Sequence, residues 1–346
     1  MHILAIDTSC DETSVAISRD DVILTNAISS QIELHKQWGG VVPSIAQRAH
    51  NEQLDPVMKL ALKRSGLTLE QIDVFAVTYG PGLAIALEVG VRKAKELATF
   101  SNKPLVAVNH MIGHIYANFA KTKAGKSSID AITHPSLALL LSGSHTELVL
   151  IKDDFDFEIV GATLDDAMGE AFDKVARMLG LGYPGGPVLA SLAKEGDANA
   201  YDFPIPMKHS NDLNFSFSGL KTSVLYMIKK MTADGHELNK QEIVDIAASF
   251  QRVAIHAILI KLIPAIKQYK IKQVLLGGGV IANTALRQAI RKALKPSGVT
   301  VHYPNLKKLC TDNAAMIAVA AYYQTRHNDY VKNIEELDRD PVLSFG

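Results

Sequence analysis

Residues 2–18 read "HILAIDTSCDETSVAIS". An apolar run is followed by a polar, acidic turn and then by a second apolar run, which is typical of two buried strands joined by a short connection. Residues 137–151, "LALLLSGSHTELVLI", repeat this order of apolar run, polar turn and apolar run. Aligning Thr13 with Thr146 superposes both runs and both turns. The sequence therefore predicts two related lobes.

The composition is that of a globular protein. The chain has 346 residues, of which 47% are hydrophobic and 21% charged, enough for two lobes that each bury a substantial interior. Lysine plus arginine equals aspartate plus glutamate at 36 each, so a nucleic-acid partner would have to be bound by local patches. The only cysteines, Cys10 and Cys310, form no spaced set, which argues against a disulfide framework. Because neither a signal peptide nor an apolar run of roughly 18 residues is evident, we expect a cytoplasmic protein without a membrane segment.

Both hairpin turns are rich in groups that contact phosphate, namely exposed backbone N–H groups, small side chains and hydroxyls. These residues are Thr8, Ser9, Ser142, Gly143 and Ser144. Either turn alone could equally be an ordinary hairpin. A third element, "KQVLLGGGVIANTALRQAI" at 272–290, indicates a strand, a glycine turn and a helix capped by Asn283, where the backbone can approach a nucleotide closely. The combination resembles the actin-like ATPase (ASKHA) superfamily, α/β proteins whose two duplicated mixed-sheet lobes hold a nucleotide in the cleft between them.

The middle of the chain, "TLDDAMGEAFDKVARMLGLGYPGGP" at 163–187, predicts a helix with one continuous apolar stripe. Asp166, Glu170 and Asp173 share a different face of that helix, and three neighbouring carboxylates repel one another unless cations, donors or solvent relieve them. The alternative is a solvated face on which Asp173 pairs with Arg177. The glycines that follow the helix are able to expose N–H groups to an anion.

Two histidines four residues apart lie in "NHMIGHIYAN", residues 109–118. On a helix His110 and His114 would stand one above the other, a common way to present two nitrogens to one metal ion. The zincin proteases use the same spacing but place a glutamate after the first histidine as general base. Here that position is Met111, so a metal remains plausible whereas the protease mechanism lacks its base. The pair could also be two histidines of an ordinary helix surface.

Several of these stretches belong to a longer ordered set of motifs. The set is "IDTSCDETSVAI", "GGVVPSIAQRAHNEQLDP", "NHMIGHIYAN", "LSGSHTELVL", "DDAMGEAFDKVARMLGLGYPGGP", "FSFSGLKTS", "ASFQ" and "CTDNAAMIA". It resembles TsaD, the bacterial tRNA N6-adenosine threonylcarbamoyltransferase family, once described as an O-sialoglycoprotein endopeptidase. The resemblance runs from about residue 3 to about residue 325.

The resemblance implies a defined reaction. The family transfers a threonylcarbamoyl group from threonylcarbamoyl-AMP to N6 of the adenosine 3′ to the anticodon, in tRNAs that read codons beginning with A. A separate synthase supplies the adenylate, and the bacterial enzyme works with TsaB-like and TsaE-like protein partners.

The resemblance also implies a set of site residues. One divalent metal ion, iron(II) or zinc, would be bound by His110, His114 and Asp312. An adenine nucleotide or the adenylate would be contacted by Leu141, Ser142, Gly143, Ser144, His145, Asp173, Gly186 and Asn283. Apart from the resemblance, Asp11 and Glu12 lie in the first hairpin turn and are expected to face the nucleotide cleft, where they would position the substrate; the alternative role is that of a general base. His145 and Asn283 could in addition act as local caps.

Some positions depart from the family pattern. Ser144 and Ala314 stand where the family has glycine, Ala190 where many members have an aspartate that contacts substrate, and "GPGLAIALEVG" lacks a glycine near Ala86 and carries Glu88 in an apolar segment. These departures put the closeness of the nucleotide contacts in question and leave the three expected metal ligands unchanged.

A candidate tRNA surface follows Asn283. Its residues share one helix face without an intervening acid: Arg287, Arg291, Lys292 and Lys295. Such a cluster neutralises phosphates, although it could equally be the solubilising face of an amphipathic helix. Arg48 and His50 are weaker candidates for lining the approach to the cleft.

For the domain organisation, we expect a first lobe at 1–130 joined by a helix at 312–326, a second lobe at 131–311, and a tail at 327–346. Besides the transferase, two other functions fit parts of the pattern. A non-catalytic actin-like scaffold subunit would tolerate loss of the metal ligands, and a metallopeptidase would need a base beside the metal.

Overall fold

The computed structural model describes residues 1–129 and 131–345, so the expected lobe boundary at 130 and the last residue of the expected tail lie outside the described part. Contacts between Cα atoms divide the chain into two units. Unit 1 comprises Met1–Ile132 with His302–Gly346, and unit 2 comprises Thr133–Val301. Residues 302–311, which we expected in the second lobe, therefore belong to unit 1, and so do the described residues of the expected tail.

Unit 1 is built on a mixed sheet of five strands in the order β3-β2-β1-β4-β5. The strands are β1 (His2–Asp7), β2 (Glu12–Arg19), β3 (Val22–Ser30), β4 (Val74–Gly80) and β5 (Leu105–Asn109). The first three are antiparallel neighbours, and β1, β4 and β5 run parallel. Since the apolar residues of β1 and β2 are buried on both faces, their continuous apolar runs are explained.

Helices cover this sheet. They are α1 (Ile32–Lys36), α2 (Pro43–Ser65), α3 (Ala84–Ser101) and α4 (His110–Tyr116), with 3-10 turns at Leu69–Gln71, Ala117–Phe119 and Lys307–Leu309. A later helix, α10 (Ala314–Arg326), contacts all five strands and α4. Its residues from Ala314 to Ala321 are fully buried, and its many alanines let the helix backbone lie close to the sheet.

Unit 2 repeats the plan of unit 1. Its strands are β6 (Ser136–Leu141), β7 (Thr146–Asp153), β8 (Asp156–Ala162), β9 (Gln273–Gly277) and β10 (Thr300–His302), in the order β10-β9-β6-β7-β8. As with β1, β6 pairs antiparallel with the next strand and parallel with a strand from much later in the chain. The predicted duplication is confirmed.

The helices of unit 2 are α5 (Met168–Met178), α6 (Gly185–Leu192), α7 (Ser218–Met231), α8 (Lys240–Gln268) and α9 (Thr284–Leu294), with 3-10 turns at Gly279–Ala282 and Lys295–Ser297. Among the described residues, α8 alone is long and apolar enough to cross a membrane. Since 67% of its most apolar window is buried inside the fold, α8 has the burial of a core helix.

Residues 329–344 form an extended segment that we call the strap. The backbone N–H of Val331 donates to the carbonyl of Leu105 on β5. Val331, Ile334 and Leu337 pack against the apolar core of unit 1. The strap is thus held along unit 1 by both hydrogen bonds and apolar contacts.

Candidate metal centre and nucleotide-contact residues

The junction between β5 and α4 sets the position of both histidines. Asn109, the last residue of β5, caps α4, since its side-chain oxygen accepts hydrogen bonds from the N–H groups of Met111 and Ile112 at 2.8 and 3.3 Å. Capping satisfies donors that the first helical turn leaves without partners. His110 is therefore the first residue of the helix and His114 lies one turn later, with side chains that are buried at 6% and 0% exposure.

Asp312 reaches the histidines because α10 packs closely on α4. The side chain of Asn313 caps α10, and the N–H of Ala314 donates to Ser14 Oγ on β2 at 2.9 Å. Gly113 permits the approach, since a Cβ there would lie 2.8 Å from Ile317 Cδ1. As a result Asp312 Oδ1 lies 3.3 Å from both His110 Nε2 and His114 Nε2.

The donor set fits a divalent metal ion. One ligand atom from each of the three residues lies within 4.8 Å of the others, and two imidazoles with one carboxylate are a common ligand set for zinc and iron(II). His114 Nε2 is buried without a hydrogen bond of good geometry despite its short distance to Asp312. A cation between the three groups would satisfy that nitrogen.

The charges within the set are strongly coupled. Burial opposes ionisation of Asp312, yet the two histidines hold the pKa of its carboxyl well below the usual range. Burial alone would lower the pKa of His110, but Asp312 and Asp7 raise it to about 9. The pKa of His114 is lowered because burial and the neighbouring His110 outweigh Asp312. A cation bound by this set would therefore compete with a proton on His110.

Asp7 was not singled out by the sequence analysis. It ends β1, its carboxylate is buried, and Asp7 Oδ1 lies 3.9 Å from His110 Nδ1. Asp7 Oδ2 makes no hydrogen bond with any described residue. The only available signal was an aspartate directly after a buried strand.

The first hairpin turn, which contains Asp11 and Glu12, lies in the same unit. Burial first, then the charges of Asp11 and Asp312, raise the pKa of Glu12 to about 10. Glu12 Oε1 accepts a hydrogen bond from Ser30 Oγ at 3.3 Å. His50 is fully buried and contacts Thr13 Oγ1 and the Cys10 carbonyl at 2.8 and 3.0 Å. The expectation that His50 lines the approach to the nucleotide cleft is wrong, because its side chain is buried and contacts residues of this turn.

In unit 2 the structure brings the β6–β7 turn together with the glycine turn. Ser142 Oγ accepts from the N–H groups of Ser144 and His145, and Ser144 Oγ lies 3.0 Å from His145 Nδ1. Leu141 is fully buried, so its side chain offers no surface to a ligand. Gly278 has a φ of 91°, and a Cβ there would lie 2.3 Å from the Leu141 carbonyl oxygen. Glycine is therefore required for this close approach.

Asp173 and Gly186 are direct partners. Asp173 Oδ1 accepts a hydrogen bond from the N–H of Gly186 at 2.7 Å, and this bond fixes the start of α6 against α5. The other two carboxylates of the predicted face bind lysines. Asp166 contacts Lys174 and Lys221 at 2.6 and 2.7 Å, and Glu170 contacts Lys174 at 2.8 Å.

Asn283 caps α9, as predicted. Its side-chain oxygen accepts from the N–H groups of Ala285 and Leu286, while its amide donates to Gln251 Oε1 at 2.7 Å. Along α9, Leu286, Ile290 and Leu294 are buried. The candidate tRNA residues Arg291, Lys292 and Lys295 are exposed, and Arg287 is half-buried.

Two of the departures from the family pattern, Ala86 and Glu88, make defined contacts within unit 1. Ala86 is buried, and its carbonyl accepts a hydrogen bond from Thr8 Oγ1. The carboxylate of Glu88 is on the surface, 3.8 Å from Arg339 of the strap. Neither residue disturbs the three metal-ligand candidates.

Solved structures of low sequence identity define the class of the fold. Full-length HypF in a phosphate- and nucleotide-bound form aligns with a TM-score of 0.60 at 16% identity, covering 95% of this chain and 56% of that one. The (R)-2-hydroxyglutaryl-CoA dehydratase component A of Acidaminococcus fermentans aligns with a TM-score of 0.54 at 16% identity, covering 94% and 99%. The chain has the actin-like ASKHA fold.

Closer relatives give the family. The model of the family described as "TsaD: tRNA N6-adenosine threonylcarbamoyltransferase" matches residues 22–319. The protein of that name from Thermosipho africanus is 48% identical over 322 residues, covering 93% of this chain and 94% of the relative. The one from Fervidobacterium nodosum is 44% identical over 345 residues, covering 100% and 98%. The chain belongs to the TsaD family, and it is a transferase that modifies tRNA.

Proposed function

We propose that this chain transfers the threonylcarbamoyl group from threonylcarbamoyl-AMP to N6 of the adenosine 3′ to the anticodon, in tRNAs that read codons beginning with A. The observation that carries the proposal is the convergence of His110, His114 and Asp312 on one point in a chain of this family. The description of the family already includes tRNA as the substrate. The adenylate donor and the role of a metal are the parts that we propose.

In this proposal His110, His114 and Asp312 hold one zinc or iron(II) ion. When bound, that ion would act as a Lewis acid toward oxygens of the acyl phosphate and would stabilise charge on the leaving phosphate. Three protein ligands leave coordination positions open, as a catalytic metal site requires. The buried, unpartnered nitrogen of His114 and the shared Oδ1 of Asp312 support this assignment.

The nucleotide part of the donor is assigned to unit 2. The β6–β7 turn, with Ser142, Gly143, Ser144 and His145, and the glycine turn at Gly278 offer backbone N–H and hydroxyl groups beside each other. Ser144 supplies a hydroxyl where the family has a glycine, so one contact to phosphate would come from a side chain. Asn283 keeps an amide close to the same glycine turn while it caps α9. Asp173 and Gly186 hold α6 in place against α5.

The adenine amine is a weak nucleophile, so its orientation has to contribute much of the rate. We assign that role to Asp11 and Glu12. Burial and the neighbouring carboxylates raise the pKa of Glu12, and a nearby cation would lower it. Glu12 would therefore donate a hydrogen bond to substrate or carry a charge, depending on the occupancy of the adjacent site.

Partners and location follow from the reaction. The phosphates of the tRNA would contact Arg287, Arg291 and Lys292 on α9 and Lys295 directly after it. TsaB-like and TsaE-like proteins would assist, a separate synthase would supply threonylcarbamoyl-AMP, and the protein would act in the cytoplasm, where unmodified tRNA is present.

The test combines product analysis with metal content. Wild type, Asp312→Ala and Thr311→Ala are incubated with threonylcarbamoyl-AMP, the two bacterial partners and an unmodified tRNA of the expected class. The tRNA is digested and analysed by mass spectrometry. Thr311→Ala is the matched control, since Thr311 is exposed and accepts a bond from Asn313 through its backbone oxygen.

We expect N6-threonylcarbamoyladenosine with wild type and Thr311→Ala, and neither product nor bound metal with Asp312→Ala. No product from wild type, beside a competent family member, would contradict the transferase and favour a scaffold subunit. Product from metal-free Asp312→Ala would retain the reaction and remove the metal from it.

A further inference from the structure

We infer that the end of the strap, residues 340–344, is a positioning element for the metal-binding helix α4. This inference rests on the proposed metal site. Residues 340–344 belong neither to the sequence motifs of the family nor to the three candidate metal ligands.

The strap ends against the residue that caps α4. Asn109 uses its side-chain oxygen to cap the helix and its amide to donate to the Ser344 carbonyl at 3.1 Å. One side chain thus joins the strap to the first turn of α4, directly before His110. Because both ends of the amide are engaged, its rotation and the position of its oxygen are fixed.

The backbone of the strap is held at the end of β4. The N–H of Asp340 donates to the Tyr79 carbonyl at 2.7 Å, and the N–H of Gly82 donates to the Pro341 carbonyl at 3.2 Å. Gly80, opposite Asn109 in the β4–β5 register, lies directly beneath the strap. A Cβ on Gly80 would lie 1.9 Å from the Asp340 carbonyl oxygen, so no other residue fits beneath it without displacing the strap.

The remainder of the strap is anchored independently. Val331, Ile334 and Leu337 pack on the core, and Lys95 Nζ donates to the carbonyls of Glu335 and Leu337 at 2.7 and 3.1 Å. Residues 340–344 can therefore be detached while the earlier part stays bound. Residues that orient metal ligands from outside the ligand set typically change metal affinity by about 10–100-fold when altered.

Two variants detach this end in different ways. Deleting residues 340–346 removes it, while Gly80→Ala displaces it in the full-length chain; the backbone at Gly80 lies outside the left-handed region, so alanine is compatible with it. Asn109→Ser keeps a capping oxygen but has no amide donor. Val342→Ala is the control in the same segment, because the Val342 side chain is 87% exposed.

Zinc and cobalt(II) affinities are measured by competition with a chromophoric chelator, and cobalt(II) absorption reports the ligand geometry. We expect both detached variants and Asn109→Ser to bind zinc about tenfold more weakly, with altered cobalt(II) spectra, and Val342→Ala to match wild type. Folding is monitored by circular dichroism. Wild-type affinity and spectra in the two folded, detached variants would overturn the inference.

A second measurement separates the strap from the metal assignment. In metal-free protein, hydrogen exchange at the Met111 and Ile112 amides should be faster in both detached variants than in wild type, with exchange in β1 unchanged. Equal exchange at these amides would show that the strap does not hold α4. If wild type binds no metal but exchange is faster in the variants, the strap holds the helix and the proposed metal site is what fails.

Discussion

Asp312 and Glu147 are both partly buried carboxyl groups, and the pKa shifts of the two groups have opposite directions. Asp312 faces two imidazoles and stays ionised despite its burial. Glu147 lies on β7 between Leu140 and Ala162 of the neighbouring strands, and its Oε2 is buried without a hydrogen-bond partner among the described residues. Burial raises the pKa of Glu147 to about 7.

Glu147 should therefore destabilise unit 2 at alkaline pH. Between the ordinary glutamate pKa of about 4.3 and the folded value the native state binds the extra proton, so stability falls as pH rises. We expect Glu147→Gln to be more stable than wild type at pH 8, by up to about 3 kcal/mol, and the difference to shrink to under about 1 kcal/mol at pH 5. Urea unfolding of both proteins at the two pH values measures it. A difference that does not depend on pH would contradict the assignment of the raised pKa to Glu147.

At the scale of elements, close helix contacts depend on single small residues. α6 lies against α5 because Gly185 has no side chain, and a Cβ there would be 2.3 Å from Ala176 Cβ. Next to it, a Cβ on Gly186 would meet Asp173 Oδ1 at 3.4 Å, an ordinary contact. A side chain at Gly185 would therefore overlap with α5, whereas the adjacent Gly186 has room for a methyl group.

We expect Gly185→Ala to destabilise the protein by about 1–3 kcal/mol, because two fixed carbons would overlap and α6 would have to move. Gly186→Ala should change stability by less than about 0.5 kcal/mol. Chemical denaturation gives both values. Moving α6 would also lengthen the bond from the Gly186 N–H to Asp173, so the Gly185 variant should weaken nucleotide binding as well; equal effects of the two substitutions would refute this packing argument.

The sequence predicted the paired hairpins because a buried strand shows as a continuous apolar run, and it predicted the cap of α9 because Asn283 precedes an amphipathic helix. It also identified His110 and His114 by spacing. The course of the strap was not predicted, since it depends on backbone bonds to Leu105 and Tyr79 that leave no side-chain pattern. Asp7 and Glu147 were missed because only tertiary burial distinguishes them from ordinary residues.

At the scale of the whole molecule, equal numbers of basic and acidic residues provide no overall attraction for tRNA. Binding would therefore depend on where the cations lie. Lys292 is exposed on α9 and Lys295 is exposed directly after it, in the 3-10 turn Lys295–Ser297; together they test the proposed surface.

The double variant Lys292→Glu with Lys295→Glu should bind tRNA more weakly, and the slope of log affinity against log salt should fall in magnitude by about 2. Lys229→Glu with Lys230→Glu on α7 is the matched control, with the same change in net charge at exposed positions. Fluorescence titration of labelled tRNA at several salt concentrations measures both. Equal losses in the two double variants would mean that net charge alone is involved and that α9 is no specific surface.

Unit 1 is assembled from two stretches separated by the whole of unit 2. During synthesis on a ribosome, the strands β1 to β5 and the helix with both histidines emerge long before Asp312, α10 and the strap. A domain that is continuous in sequence can fold as it emerges. Unit 1 cannot be completed in this way, because its sheet lacks α10 until unit 2 has been made. Unit 2 is thus able to fold first, and the candidate metal site is completed only after unit 2 has been made.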